Sequence, residues 1–351
     1  KFFIEMYIKF MNEENKNIYI SYWLLLITIL VAIMIVVGGL TRLTDSGLSI
    51  TKWELFSGII PPFSENKWQN SFSLYKQIPE YKLQNSSMTL QEFKVIYWWE
   101  YIHRLLGRIV GLLFLIPLIY FTYKKIVTKK LLFWFYIIFI LIIFQGFMGW
   151  YMVKSGLSDR TDVSHYRLSA HLTLAFIIFI LTLWNYLKLK NENNTIYKNK
   201  IPYFLPTIFI IFTIVQISIG AFVSGLDAGQ IYNSWPSMNG NFFPDDVDLS
   251  SFSSLNFFDI PSIVQFIHRN LAYLICALFI FISVITFKSS KLKYLRNIVL
   301  VVFFALLLQV ILGIFAVLYN AQIVVASLHQ FGSIVLITTS LILVFKNSEI
   351  N

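Results

Sequence analysis

The chain has 351 residues, 57% of them hydrophobic and only 13% charged. A soluble domain carries about 25% charged residues, so this composition excludes a chain that covers itself with polar surface in water. The net charge of +10 does not indicate nucleic acid, because the basic residues are gathered in a few short loops.

The long apolar runs each approach the roughly 20 residues that a helix needs to cross a bilayer. Helices are the expected form, since backbone groups in lipid must be satisfied internally. In chain order the runs fall at 21–40, 97–121, 131–152, 168–187, 203–224, 262–286, 297–318 and 323–345. Only Tyr319-Asn320-Ala321-Gln322 separates the last two, which predicts a tight hairpin. The predicted fold class is therefore all-α: a polytopic membrane protein with eight transmembrane helices. It divides into an N-terminal segment 1–20, a four-helix bundle 21–187 with a long outer loop 41–96, a linker 188–202, a second four-helix bundle 203–345, and a tail 346–351.

Charge sets the orientation. The second loop holds Lys124, Lys125, Lys129 and Lys130. The fourth holds Lys188, Lys190, Lys198 and Lys200 against Glu192, and the sixth holds Lys288, Lys291, Lys293 and Arg296. The fifth carries Asp227, Asp245, Asp246, Asp248 and Asp259 with no Lys or Arg. This positive-inside pattern places both termini on the cytoplasmic or matrix side. The first twenty residues show no signal-peptide pattern, and the start is expected upstream of Lys1 or at Met6. The lack of an Arg/Ser-rich leader favours a bacterial inner membrane over a mitochondrial one. Cys276 is the one cysteine, so no disulfide or thiolate cluster forms within the chain; it reads as a small buried apolar residue.

The chain repeats itself. Glu100-Tyr101-Ile102-His103-Arg104 opens the second span, and Gln265-Phe266-Ile267-His268-Arg269 opens the sixth. Gly107 and Ala272, both small, follow at equal distance. Gly38-Gly39-Leu40-Thr41-Arg42 with Asp45-Ser46-Gly47 matches Gly220-Ala221-Phe222-Val223-Ser224 with Asp227-Ala228-Gly229. Gln145 to Gly149 matches Gln309 to Gly313, and Ser169-Ala170-His171 matches Ser327-Leu328-His329. Two four-span units inserted the same way up relate by a pseudo-twofold axis along the membrane normal.

His103, His171, His268 and His329 lie near the outer ends of the even-numbered spans, two in each half. Ionisable groups in a span are costly and usually mark a function. Two imidazoles facing each other across a bundle suit the two faces of a haem iron. Zinc suits them less, because it takes three or four protein ligands and each half offers two. His165 sits beside Asp159, Arg160 and Asp162, has no counterpart in the second half, and reads as a solvated loop residue. Arg104 and Arg269 adjoin ligand candidates and are placed to pair with haem propionates. Arg108, Arg42 and Arg167 are further candidates. Snorkelling to the interface is the simpler role for each arginine.

The halves differ at one chemically important position. Glu100 shares a helix face with His103, where the second half has the non-ionisable Gln265. Beside a haem site in an apolar setting, the carboxylate could act as a base or offset developing positive charge. The first half therefore reads as the reactive site and the second as the cofactor or electron-transfer site. The alternative is that Glu100 merely caps the start of its helix. The first outer loop, about 55 residues long, is expected to form a lid over the first site. Its tryptophans Trp53, Trp68, Trp98 and Trp99 could instead form an interfacial belt.

Gly38-Gly39-Leu40-Thr41-Arg42-Leu43-Thr44, Ser46-Gly47-Leu48-Ser49, Tyr97-Trp98-Trp99-Glu100-Tyr101-Ile102-His103-Arg104 and Tyr166-Arg167-Leu168-Ser169-Ala170-His171 resemble the motifs of the haem A synthase family. Gln265-Phe266-Ile267-His268-Arg269 and Ser327-Leu328-His329-Gln330 resemble its second half, in order along nearly the whole chain. The resemblance implies oxidation of the C8 methyl of haem O to a formyl group, giving haem A for terminal oxidases. Two hydroxylations would give a gem-diol that loses water. It also implies that His268 and His329 ligate a resident haem b. His103 and His171 would frame the substrate haem iron, with Glu100 essential nearby. Haem O synthase and the cytochrome oxidase assembly machinery are the implied partners, with an electron donor or acceptor not identified and homo-oligomerisation left open. The chain lacks the loop cysteine pair of some bacterial members and resembles the proteobacterial and mitochondrial subgroup. A di-haem electron carrier fits the four histidines equally, but needs neither Glu100 nor a long first loop. A transporter fits poorly, because the ionisable residues cluster at the outer ends and not at the midplane.

Overall fold

A computed structural model describes residues 13–53, 57–158, 160–190, 199–202, 204–248 and 255–348. Met6, Asp159, Glu192, Lys198 and the last three residues of the tail lie outside the described residues. Ten α-helices of five or more residues lie within them: α1 Glu13–Leu43, α2 Glu65–Tyr75, α3 Pro79–Leu83, α4 Leu90–Lys124, α5 Lys129–Gly156, α6 His165–Lys190, α7 Phe204–Gly225, α8 Pro261–Lys288, α9 Arg296–Leu318 and α10 Ile323–Asn347. All except α2 and α3 are long and apolar enough to cross a membrane. The chain is an all-α, multi-pass membrane protein, as its apolar runs predicted. The hairpin between α9 and α10 turns through Asn320 and Ala321, both at positive φ.

The second span starts earlier than its apolar run. Thr89 Oγ1 accepts from the Glu92 amide, and Glu92 returns the contact to the Thr89 amide at 2.7 Å. This reciprocal capping box starts the helix at Leu90. Its 35 residues extend about 50 Å at 1.5 Å per residue, well beyond a hydrocarbon core of about 30 Å. α4 is therefore long enough to extend past the hydrocarbon core. Glu100 lies ten residues inside the helix, which overturns the reading that it caps the helix start.

The apolar faces set the arrangement. α1, α6, α7 and α10 form the centre; α4 and α5 lie on one side of it, and α8 and α9 on the other. α10 is the most enclosed, with 61% of its apolar window buried, against 11% for α5. Polar contacts pin the central seam. Ser169 Oγ donates to the Ser218 carbonyl at 2.8 Å between α6 and α7. Gln330 Nε2 donates to the Ile35 carbonyl at 2.8 Å between α10 and α1. It crosses so close to Gly39 that a Cβ there would fall 1.5 Å from Gln330 Oε1. At the outer end, Arg42 joins the halves by donating to the Ser224 carbonyl (2.9 Å), Asp227 (3.0 Å) and Asp45 (2.8 Å). Asp45 and Asp227 are equivalent in the repeat, so this one guanidinium holds both copies of the turn.

His165 is not a solvated loop residue. It is the first residue of α6, 3% exposed, with Nε2 2.8 Å from Asp259 and its ring against Phe222. Its partner lies 94 residues away, so nothing in the local sequence could reveal it.

The first outer loop is folded. α2 and α3 return onto the protruding turns of α4 and build an aromatic core of Trp68, Phe72, Tyr75, Phe93, Tyr97 and Tyr101. Phe72 stacks on Phe93 with ring centres 5.0 Å apart, and Trp68 meets Tyr97 edge-on at 4.9 Å. Trp68 is only 8% exposed, so it belongs to this core and not to an interfacial belt. Phe93 is fully buried. Phe93→Ala removes a contact worth about 3–5 kcal/mol. It is expected to speed proteolytic cleavage within residues 41–96 at least severalfold while α7–α10 stay resistant, as read by timed digestion in detergent.

Candidate functional site: paired histidines in one cavity

The even-numbered spans carry the histidines, and the odd-numbered ones make room for them. A Cβ added at Gly38 would fall 3.1 Å from His103 Nε2, and one at Gly149 would fall 3.2 Å from His171 Cε1. In the second half, Gly220 stands in the same way behind His268 (3.1 Å) and Gly313 behind His329 (2.9 Å). Each imidazole thus lies with one edge close against the neighbouring helix. Any larger residue at these glycines would push the ring away. These are the glycines that the sequence repeat aligns, Gly38 with Gly220 and Gly149 with Gly313.

The rings pair within each half. His103 and His171 have centres 6.5 Å apart at 84°, and His268 and His329 are 6.5 Å apart at 74°. Metal–imidazole bonds of about 2.0–2.1 Å, plus about 1.1 Å from nitrogen to ring centre, put two coaxial imidazoles of one metal about 6.3 Å apart. Both ring separations are close to that spacing. Among the described residues no group of three or more His, Cys, Asp or Glu is placed to hold a bare ion. A metal that brings its own equatorial ligands, as a porphyrin does, suits the donor set.

Glutamines support one ring of each pair. Gln145 Nε2 lies 3.3 Å from His171 Nε2, and Gln309 Nε2 lies 3.5 Å from His329 Nε2. His329 Nδ1 is 3.2 Å from the Gln309 carbonyl. A carbonyl only accepts, so the hydrogen belongs on Nδ1, and the Nε2 lone pair, the donor a metal would take, faces the Gln309 amide. His171 Nδ1 and His268 Nδ1 are buried without a hydrogen-bond partner.

All four histidines line one continuous cavity of about 1450 Å³ whose wall is mostly apolar. Single small-molecule sites run to about 300–1,000 Å³, so this space accommodates more than one bulky apolar group.

The polar wall sits at the outer end. Glu100 is 2% exposed. Its Oε2 accepts from Ser49 Oγ and the Ile50 amide, both at 2.7 Å, and its Oε1 accepts from Arg104 at 2.6 Å. The apolar setting expected for it is therefore a polar cradle. Gln265, also 2% exposed, makes the mirror arrangement. Its amide donates to the Ala228 (2.9 Å) and Ile231 (2.7 Å) carbonyls, while Arg269 donates to its Oε1 at 3.2 Å. Glutamate stands where the loop presents donors, and glutamine where it presents acceptors.

The two arginines also hold loops. Arg104 donates to the Ile50 (3.0 Å) and Lys52 (3.4 Å) carbonyls and lies over the Trp53 ring. Arg269 donates to the Tyr232 (2.7 Å), Ser234 (2.9 Å) and Ser237 (3.3 Å) carbonyls. Both reach the cavity wall, as do Arg108 and Arg42. Arg167 instead stacks on Tyr151 and donates to its carbonyl. Sequence reasoning missed Glu80, a buried carboxyl of the outer loop that lines the same cavity. No motif marks it. The supporting glutamines were visible in the repeat, but their role was not.

Gly313→Val is expected to displace His329 and weaken haem uptake at least tenfold, as read by optical titration of the stripped protein. Gly47→Ala, where a Cβ meets nothing within 4 Å, is the matched control and should bind normally.

Comparison with known proteins gives a coherent result. The family model for cytochrome oxidase assembly proteins matches residues 21–341. A heme A synthase from Pelagibacter ubique is 48% identical over 343 residues, covering 97% of this chain and all of its own length. One from Rickettsia bellii is 46% identical, covering 92% of this chain and 96% of its own. One from Ehrlichia canis is 44% identical, covering 93% and 92%.

Proposed function

Since the chain belongs to the haem A synthase family of cytochrome oxidase assembly proteins, we propose that it oxidises the C8 methyl of haem O to a formyl group by successive hydroxylations. Its product, haem A, serves cytochrome oxidase assembly. The observation that carries this reading is the pair of 6.5 Å histidine couples in one cavity, with only the first roofed by a carboxylate.

His268 and His329 would hold a resident haem b, whose iron supplies one-electron chemistry when bound. His103 and His171 would orient the substrate haem from its two faces. The chain's own residues do the positioning. The glycines behind the rings fix imidazole depth, and the Gln309 carbonyl fixes the His329 tautomer. The part of the cavity around His103 and His171 is the first chamber; Trp53, Ile59 and Glu80 of the outer loop line the cavity, and Arg104 ties that loop down. Glu100 fixes the loop's return through Ser49 and Ile50 and is ion-paired with Arg104 beside the cavity. Of the four arginines on the cavity wall, Arg104 is paired with Glu100 and Arg42 with Asp45 and Asp227, so Arg108 and Arg269 would carry most of the positive charge offered to propionates.

The division into bundles 21–187 and 203–345, termini on the cytoplasmic side, residence in a bacterial inner membrane and transfer of haem O from its synthase complete the reading. Homo-oligomerisation belongs to it only as an open addition. A di-haem electron carrier would use the same couples, but it would not be expected among these relatives.

His268→Ala and His329→Ala are each expected to abolish the haem b spectrum of the purified protein. Normal spectra in both variants would refute the assignment. Glu100→Gln places an amide against the donors of Ser49, Ile50 and Arg104, so at least one contact becomes donor against donor. That variant is expected to keep haem b yet lower haem A formation by roughly 10²-fold, measured by chromatography of extracted haems. Undiminished haem A would exclude an essential carboxylate.

A further inference from the structure

The first chamber has a second buried carboxyl that the account above leaves unused. Glu80, on α3, is 3% exposed and forms part of the cavity wall. Its Oε1 accepts from Tyr75 Oη at 2.8 Å and from Asn85 Nδ2 at 3.4 Å, and the Asn85 amide also donates to Tyr75 Oη at 2.8 Å. Tyr75 on α2 is hydrogen-bonded to it, and Asp162 before α6, Asp45 after α1 and Glu100 on α4 act on its charge through space. None of these is a cation. The nearby guanidiniums are bound elsewhere, Arg42 to Asp45 and Asp227 and Arg104 to Glu100. The two carboxyls thus differ in kind: Glu100 is matched by an arginine, whereas Glu80 contacts Tyr75 and Asn85 and forms no ion pair among the described residues.

We propose that Glu80 is the proton donor of the first chamber, carried there by the folded outer loop and delivering its proton to the hydroxyl that leaves the oxidised substrate carbon. The inference rests on the reading of the site as a methyl-oxidising one. The step is loss of water from the gem-diol. The carbon–oxygen bond breaks, and the departing hydroxyl takes the Glu80 proton and leaves as water. The remaining hydroxyl yields its proton to the Glu80 carboxylate as its electron pair closes the carbonyl. No electrons change hands, and Glu80 ends protonated. Tyr75 and Asn85 hold the carboxyl in place, with Asn85 reaching the partly exposed edge of the loop.

Burial, and then the neighbouring acids, push the Glu80 pKa up to about 8, against the opposing Tyr75 hydrogen bond. The acid form is therefore present at neutral pH and is lost as pH rises through that value. A carboxyl that only tied Tyr75 and Asn85 together would be replaced well by glutamine, which separates the two roles.

The test follows the formyl-haem absorption in the intact protein supplied with haem O, from about pH 6 to about pH 10. With wild type the rate should fall about tenfold per pH unit above about pH 8. Glu80→Gln should keep its haem b content and melting temperature, yet form the product roughly 10²-fold more slowly and without that pH limb. Tyr75→Phe removes a contact that favours the carboxylate, so it should move the limb to higher pH. A Glu80→Gln protein with the wild-type rate and limb overturns the proposal. If that variant fails to fold, an unmoved limb in Tyr75→Phe overturns it instead. Wild type that makes no formyl haem at any pH overturns the reading beneath, before any variant is compared.

Discussion

Four close approaches between a histidine ring and a glycine backbone govern this molecule. Each ring lies between two helices, and a Cβ at the facing glycine would come within 2.9–3.2 Å of it. Those four distances set how deep the imidazoles lie and hence how far apart they stand in each couple. Separation in turn decides what fits between them. The 6.5 Å separation is close to that of two imidazoles that would share one metal. Each of the eight spans contributes either a ring or a seat, around the central helices α1, α6, α7 and α10.

The outer ends follow a second rule, the matching of hydrogen-bond polarity. At equivalent positions Glu100 meets donors and Gln265 meets carbonyls, while Arg104 and Arg269 fasten the neighbouring loops in each half. The exchange of glutamate for glutamine thus has a structural cause as well as a chemical consequence. A carboxylate satisfies three donors that an amide cannot satisfy together. It also forms an ion pair with Arg104 where the second half has only a neutral amide against Arg269. The asymmetry between halves is therefore built into the way each loop is anchored, and the folded cap over the first chamber depends on it.

Much of this was legible in the amino-acid order because repetition exposes geometry. The histidines, their glycine seats and the glutamines beside them recur at matched positions, and apolar runs near bilayer length locate the helices. The start of α4 was misplaced because a capping box at Thr89 and Glu92 carries a helix on into a polar setting, where hydropathy is silent. His165 was misread because its partner, Asp259, is brought to it only by the fold. Glu80 was overlooked for the same reason, since its burial depends on α2, α3 and the exposed turns of α4 closing together. Long-range pairing of polar groups has no local signature, whereas a doubled pattern of ring and seat does.

The most direct test of the central claim is chromatography of haems extracted from the purified protein, produced with and without a haem O synthase. The account predicts haem b alone without the synthase, joined by haem A or its hydroxylated precursor with it. Haem b alone in both preparations, from stable protein, would contradict the account and make the molecule an electron carrier.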